Sequence, residues 1–414
     1  MSARPDEAAV SVVIPVYNTR RYLAECLDSV LAQDLTPHEL EVIAVDDGST
    51  HGSAQVLDRY AERHPNLRVI HQENSGWPGR PRNVGRAASQ GQYVFFVDSD
   101  DCLAPQALRS MYDFAVQHDS DIVVPKIVPL DGSRRPNQVV WRRTRVDADL
   151  TRVIQTLGPW KLFRRAFLDE QDIWFPEGKV RLEDGIFVTQ AYLVARRVSV
   201  LADDDYYRKR NQADQGNISS APVDPESYLT SVARMIEIVR RSCSDEQLAD
   251  VLIATLYRRK ALKWFGADRF PDYTKAQRSA WVQAVRSLQD GHVPPRLDDH
   301  LSLAHRTRSV LVRHGEVAAL VNIAAAQRAG RPLEAVLAGG WVQLRVPGLA
   351  ARPALVVASG LRLVAPDAGP VPPDGGHRRP QLVVAAARAV RPLVHRSAWG
   401  RSAWARARRR FTGR

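Results

Sequence analysis

Hydrophobic and polar positions change period repeatedly along the first half of this chain. Residues 10–18 open with a β-branched run, and from Tyr22 the residues Leu23, Cys26, Leu27, Val30 and Leu31 recur at the spacing of one helix face. Residues 41–45 read as a second strand, 54–63 as a helix, 67–71 as a third strand, and the stretch through Ala88 as another helix. The apolar run 93–97, rich in aromatic and β-branched residues, closes the series as a buried strand. Such alternation predicts a parallel, doubly wound sheet. Pro15 has no N–H to give a central ladder, so it predicts that pairing of the first strand ends there. Ser49 or Thr50 is placed to cap the helix that follows.

Beyond that, 122–128, 160–163 and 198–201 read as strands, and Arg181 to Gly185 precede an apolar helix over 186–194. From Pro225 the pattern turns helical, with amphipathic stretches around Tyr228–Val239, 248–264, 281–288 and 310–326. Residues 339–347 alternate as a strand, and 354–358 and 361–365 pair with it in a small β module. The expected organisation is an α/β domain over 1–220, a helical region packed on it over 221–330, a β module and linker over 331–376, and a tail over 377–414.

Charge changes this picture mainly at the end. The net charge is +12, yet eleven arginines and no acidic residue lie between Arg378 and Arg414, so the preceding body is near neutral. Trp399, Trp404 and Phe411 interleave with those arginines, which suits an anionic membrane surface; nucleic acid and a plain solvated tail are the rivals. Three dispersed cysteines make neither a disulfide framework nor a zinc pattern and suit a reducing compartment. The first residues lack an apolar signal core, and no run of about 18 apolar residues predicts a membrane span.

The candidate chemistry lies where strands end. The run 93–97 stops at Asp98-Ser99-Asp100-Asp101, and 41–45 stops at Asp46-Asp47. Carboxyl ends of strands are where open α/β sheets bind ligands. Asp98 and Asp100 are two apart, so one can turn toward a nucleotide while the other holds a hard cation such as magnesium or manganese. Duller readings stand beside each motif. The acids can be solvated turns or helix caps, Arg82 a surface residue stacked on Trp77, Glu183-Asp184 an N-terminal cap, and Arg208 to Arg210 a solvated run.

Four motifs in order, Pro15-Val16-Tyr17-Asn18, Asp46-Asp47-Gly48-Ser49, Asp98-Ser99-Asp100-Asp101 and Glu183-Asp184, resemble those of family 2 glycosyltransferases of the GT-A fold. The stretch Asn74 to Val84 and the segment from Trp160 to Glu226 are similar to the wall teichoic acid enzymes that put N-acetylglucosamine on poly(ribitol phosphate). The chain departs from that group at Arg210 to Asn217, which has no histidine, and this leaves donor sugar and acceptor open.

The resemblance implies a GT-A mixed sheet and an inverting, metal-dependent transfer from UDP-GlcNAc or a similar nucleotide diphosphate sugar to a cell-envelope polyol phosphate or glycan. Pro15, Tyr17 and Asp47 would hold base and ribose, with Asn74, Arg82 and Ser99 also on the donor. Asp100 would hold the divalent cation, Mn²⁺ or Mg²⁺, with Asp98 on ribose or metal. Asp184 would be the general base and Glu183 its neighbour on acceptor or donor sugar, while Arg208, Arg210 and Ser219 would form a lid over phosphates. The implied location is the cytoplasmic face of the cell membrane, held there by the basic tail, with a homo-oligomer a further implied partner and no nucleic acid expected. The alternatives are a capsule or exopolysaccharide transferase on a lipid-linked saccharide, and a nucleic-acid-binding protein with a non-catalytic α/β body.

Overall fold

The computed structural model describes residues 8–132, 139–210, 222–331, 333–338, 341–350, 355–358 and 361–364. The linker from Pro366, the basic tail and Ser219 lie outside the described residues. The chain divides into two compact units, 1–246 and 247–414.

The first unit opens with β1 (Val10–Val16), α1 (Arg20–Leu31), β2 (Leu40–Asp46), α2 (Ser53–Ala61), β3 (Leu67–His71), α3 (Gly79–Ala88) and β4 (Tyr93–Phe96). It continues through β5 (Cys102–Leu103), α4 (Ala107–Gln117), β6 (Ile122–Pro125), β7 (Ile127–Pro129), α5 (Leu150–Val153), β8 (Leu162–Arg164) and α6 (Arg165–Glu170). It ends with α7 (Glu183–Val194), β9 (Val198–Leu201), β10 (Tyr207–Lys209) and α8 (Pro225–Ser242). One sheet runs β3-β2-β1-β4-β8-β6-β9, and a small one β5-β10-β7. The first four strands of the large sheet are parallel, as the alternating pattern predicts. β8 runs against both β4 and β6, so the sheet as a whole is mixed.

That parallel quartet sets up the site. Val10, Val12 and Ile14 of β1, Val42 and Ala44 of β2, and Tyr93 and Phe95 of β4 are buried on the same core as Leu23, Leu27 and Val30 of α1. Burying each such side chain contributes about 1.5–3 kcal/mol. With the strands locked in parallel register, the loops after β1, β2, β3 and β4 all leave from one edge.

Several expectations need correction. Pro15 does not end the pairing of β1, which continues to β2 through Val16 opposite Asp46. Pairing with β4 stops at Val13, whose carbonyl accepts Val97 N–H at 3.0 Å. Residue 15 faces that same vacated side, so its missing N–H costs no ladder bond. The run 122–128 is two strands in two sheets. The change occurs at Lys126, the one polar residue of the run, which ion-pairs with Asp205 at 2.7 Å. Neither Ser49 nor Thr50 caps α2, which begins after Gly52 at φ +81°. Both instead bond Asn18: Asn18 N–H donates to Ser49 Oγ at 3.0 Å and Thr50 N–H to Asn18 Oδ1 at 2.8 Å.

The second unit holds α9 (Glu246–Leu256, entering from the unit boundary), α10 (Lys275–His292), α11 (Leu303–Arg313) and α12 (Val317–Arg328). The expected helix over 310–326 is split at Gly315, whose left-handed backbone (φ +70°) ends α11. The helix expected over 248–264 leaves the α form after Leu256 for a π turn and then a 3-10 turn. Four strands follow: β11 (Glu334–Ala338), β12 (Trp341–Arg345), β13 (Leu355–Ala358) and β14 (Leu361–Val364), ordered β11-β12-β14-β13. β11 has no counterpart among the expected strands. Among the described residues, no helix is long and apolar enough to cross a membrane.

Candidate active site

The loops leaving the edge of β1, β2, β3 and β4 carry most of the expected side chains. Pro15 is half-buried near the end of β1, and Tyr17 just beyond it is 49% exposed, a large aromatic left facing solvent. Asp47 follows β2 and is buried. It accepts from Gln72 Nε2 at 2.5 Å, from Ser75 N–H at 3.0 Å and from Ser75 Oγ at 2.9 Å. Asn74 donates from Nδ2 to the Asp47 carbonyl at 2.9 Å. The loops after β2 and β3 are thereby tied together. Gly48 lets them approach: a Cβ there would lie 2.8 Å from Asn74 N, and its φ of +73° suits glycine.

The loop after β4 holds Asp98, Ser99, Asp100 and Asp101. Carboxylate oxygens of the three acids lie within 4.8 Å of one another. Asp98 accepts from Arg82 Nη2 at 2.9 Å on one oxygen and from Trp160 Nε1 at 2.9 Å on the other. Burial would raise its pKa, but Arg82 and then Lys209 outweigh that and hold the carboxyl below the usual range. Asp101 accepts from Tyr207 Oη at 2.6 Å and from Arg210 N–H at 2.7 Å. Burial, with Asp98 adding to it, pushes Asp101 up to about 8. Ser99 is buried at the turn.

The first turn of α7 completes the cluster. Leu182 takes a left-handed conformation (φ +60°), and the helix then begins at Glu183, earlier than the apolar pattern implies. Glu183 turns inward. It accepts from Arg82 Nη1 at 2.9 Å and from Trp77 Nε1 at 3.1 Å. Burial first, and Asp184 next, raise its pKa against Arg82. Asp184 is half-buried and accepts Gly185 N–H at 2.6 Å.

Arg82 therefore stands at the centre. It is buried, with its guanidinium 5.3 Å from the centre of the Phe175 ring, and it bridges the loop after β4 to the start of α7. It is not stacked on Trp77, over which Arg181 lies at 5.5 Å. Burial alone would lower its pKa, yet Asp98 and Glu183 raise it instead. Of the three residues expected in a lid, Arg208 is exposed on β10. Arg210 is pinned, donating to the Asp100 carbonyl at 2.9 Å and to Glu25 at 2.5 Å.

Sequence reasoning gave no site role to Trp160, Lys161 or Tyr207, and read Lys209 only as part of the Arg208 to Arg210 run. Trp160 packs against Tyr207 with ring centres 5.5 Å apart, and Lys209 Nζ lies 3.6 Å over the Trp160 ring. Lys161 is fully buried. The available signal was a tryptophan and a lysine directly before a buried strand, where apolar residues are the rule.

This arrangement offers an aromatic face, carboxylates for hydroxyls or a cation, a cationic flank and a half-buried carboxylate at a helix start. Residues 11–201 match the family described as Glycosyl transferase family 2, and residues 225–324 the Glycosyl transferase TarS linker domain. A poly(ribitol-phosphate) beta-glucosyltransferase of Bacillus spizizenii is 34% identical over 75% of this chain and 49% of its own length. The poly(ribitol-phosphate) beta-N-acetylglucosaminyltransferase TarS of Staphylococcus aureus is 37% identical over 70% of this chain and 50% of its own. The chain thus spans about half the length of these curated relatives. The crystal structure of S. aureus TarS 1–349 in complex with UDP-GlcNAc superposes with a TM-score of 0.72 at 29% identity, covering 84% of this chain and 99% of that one.

Proposed function

The chain belongs to glycosyltransferase family 2, with the GT-A fold, and from that premise we propose that it transfers a sugar, with inversion, from a uridine diphosphate sugar to a hydroxyl of a poly(polyol phosphate). The observation that carries this reading is the convergence of the Asp98–Asp101 loop and the Glu183-Asp184 start of α7 about one buried arginine, Arg82, with Asp47 linked to the same cluster through Ser75 and Trp77. Four chain segments are needed to build it, and a solvated acidic turn has no use for such a construction.

Tyr17 offers the uracil a face, and the tied loops holding Asp47 and Asn74 offer hydrogen bonds to base and ribose. The acceptor oxygen attacks the anomeric carbon as the bond from that carbon to the diphosphate oxygen breaks. The diphosphate leaves with the bonding electrons, and the acceptor proton passes to Asp184. Three carboxylates within one small radius suit a hard divalent cation. Asp100, with Asp98 and Asp101 beside it, would be the ligand of that cation. When bound, the cation neutralises charge building on the leaving diphosphate. Glu183, engaged by Arg82 and Trp77, holds the start of α7.

The direct test is a panel of uridine diphosphate hexoses, UDP-GlcNAc included, with manganese, read as thermal stabilisation. A true donor at about a hundred times its Kd should stabilise by roughly 2.7 kcal/mol. Asp100→Ala and a chelator should each abolish metal-dependent turnover. A panel in which no nucleotide sugar stabilises the protein would overturn the assignment, and a fully active Asp100→Ala would remove the cation from it.

The acceptor class rests on the poly(ribitol-phosphate) names of the relatives. A membrane-linked polyanion also gives the arginine-rich end a purpose: we place the protein on the cytoplasmic face of the membrane, held by residues 378–414. Removing those residues should release the protein into the soluble fraction. Unchanged partition would sink the membrane assignment and leave the transferase assignment intact.

A further inference from the structure

The loop before α7 is tightly held and carries two cations. Asn83 of α3 fixes its first residues: Phe175 N–H donates to Asn83 Oδ1 at 3.0 Å, and Asn83 Nδ2 donates to the Phe175 carbonyl at 2.9 Å. The same amide donates to Glu177, the one acid between Phe175 and Leu182, at 2.9 Å. Pro176 presses on the start of α3, since a Cβ on Gly79 would lie 2.2 Å from its carbonyl oxygen. Gly178, at φ +79°, then turns the chain, and Val180 N–H donates to its carbonyl at 2.8 Å.

Lys179 and Arg181 leave this turn beside Trp77. Lys179 is exposed, and its Cε would lie 3.8 Å from a Cβ on Gly76. Arg181 is half-buried, with its guanidinium 5.5 Å from the centre of the Trp77 ring and Nη2 donating to the Pro222 carbonyl at 3.1 Å. Indole and carbonyl orient the guanidinium, and neither carries a charge. Trp77 in turn donates to Glu183 at 3.1 Å, and Asp184 is the next residue. Arg181 and Asp184 are three residues apart, at most about 11 Å of chain.

In a poly(polyol phosphate) every hydroxyl lies a few bonds from a phosphodiester, so a hydroxyl delivered to Asp184 brings an anion with it. Glu183, Asp184 and the acids of the Asp98–Asp101 loop repel that anion. Arg82 is committed to Asp98 and Glu183, and Arg210 to Glu25. Seating the phosphodiester therefore calls for further positive charge at the start of α7. We propose that Lys179 and Arg181 are the seat of the acceptor phosphodiester next to the attacked hydroxyl, with the Trp77 ring fixing the guanidinium. This rests on the polyol-phosphate acceptor proposed above. The seat only binds: the phosphodiester keeps its bonds and its charge, and the hydroxyl proton goes to Asp184.

The test uses the full chain with UDP-GlcNAc, manganese and a short poly(ribitol phosphate) oligomer. Arg181→Gln should raise the acceptor KM by about tenfold or more, the scale of a hydrogen bond to a charged group, while the donor KM changes less than about twofold. Lys179→Glu, at an exposed position that folding does not depend on, should raise the acceptor KM about tenfold by turning attraction into repulsion. Both losses should shrink between about 50 mM and about 500 mM salt, as screening weakens the attraction they remove. Titrating the oligomer into UDP-loaded protein gives a second readout, because bound UDP keeps it off the donor phosphate positions; its Kd should rise by the same factors. An acceptor KM unmoved in both variants, a donor KM that rises as much as the acceptor KM, or a loss indifferent to salt would overturn the proposal, the second result reducing Arg181 to a support for Trp77. The two levels separate in the wild type. If it binds UDP-GlcNAc but no oligomer, the acceptor class has failed and the seat with it; if it transfers to the oligomer and both variants match it, only the seat is wrong.

Discussion

Asp184→Asn should abolish transfer and leave nucleotide-sugar binding nearly intact. The asparagine keeps the volume at the start of α7, and its side-chain oxygen can still accept the Gly185 N–H that Asp184 takes at 2.6 Å. It cannot accept a proton from the acceptor hydroxyl. A positioned base contributes roughly 10²–10⁴-fold, and a loss on that scale in kcat, with donor Kd changed less than about threefold, is the expected outcome. Isothermal titration with UDP-GlcNAc and single-turnover transfer measure the two quantities apart. Turnover near wild type would mean that the proton leaves by another route.

Glu183 is the instructive contrast, because the two acids are adjacent in the chain and differently placed. Read along the sequence, both are acids before an apolar helix, and only the resemblance to family 2 glycosyltransferases separates them as base and neighbour. The left-handed Leu182 backbone starts the helix at Glu183 and turns that side chain in, where Arg82 and Trp77 occupy both its oxygens. Asp184, one position on, stays half-buried. No periodicity argument distinguishes them, since the rotation that separates them is set by one residue with positive φ.

Strand-end acids after β2 and β4 were readable because, in an α/β chain, an apolar run that stops at carboxylates marks the sheet edge where ligands bind. The two-sheet path of 122–129 was not, because seven apolar positions look alike whichever sheet receives them, and only Lys126 marks the crossing. Trp77 and Trp160 were opaque for a different reason. Trp77 read as a loop residue beside Arg82 and Trp160 as part of a strand, and only the partners of their N–H groups, Glu183 and Asp98, tie them to the acids. Arg82 was legible as a candidate donor contact, but its double engagement depends on Asp98 and Glu183, far apart in sequence, arriving on either side of it.

That engagement carries the second large effect. Arg82→Met should cost about 3–5 kcal/mol of stability at neutral pH, the range seen when one partner of a buried ion pair is removed. The methionine fills much of the space against Phe175, so the loss comes chiefly from charge. Glu183 is deeply buried and would lose its charged partner while keeping the Trp77 N–H; Asp98 would keep the Trp160 N–H and a quarter of its side-chain surface in water, so Glu183 carries the larger share. The sign with pH follows. In the wild type, Arg82 favours the ionised form of Asp98, a contribution present at neutral pH and lost as the carboxyl protonates on acidification. In the variant both carboxyls bind protons more readily than in the unfolded chain, so protonation stabilises the folded form. The deficit relative to wild type should therefore shrink from about pH 7 to about pH 5, measured by urea unfolding at both. A deficit that is small, or equal at the two pH values, would mean that the guanidinium is not the charge on which these two carboxylates depend.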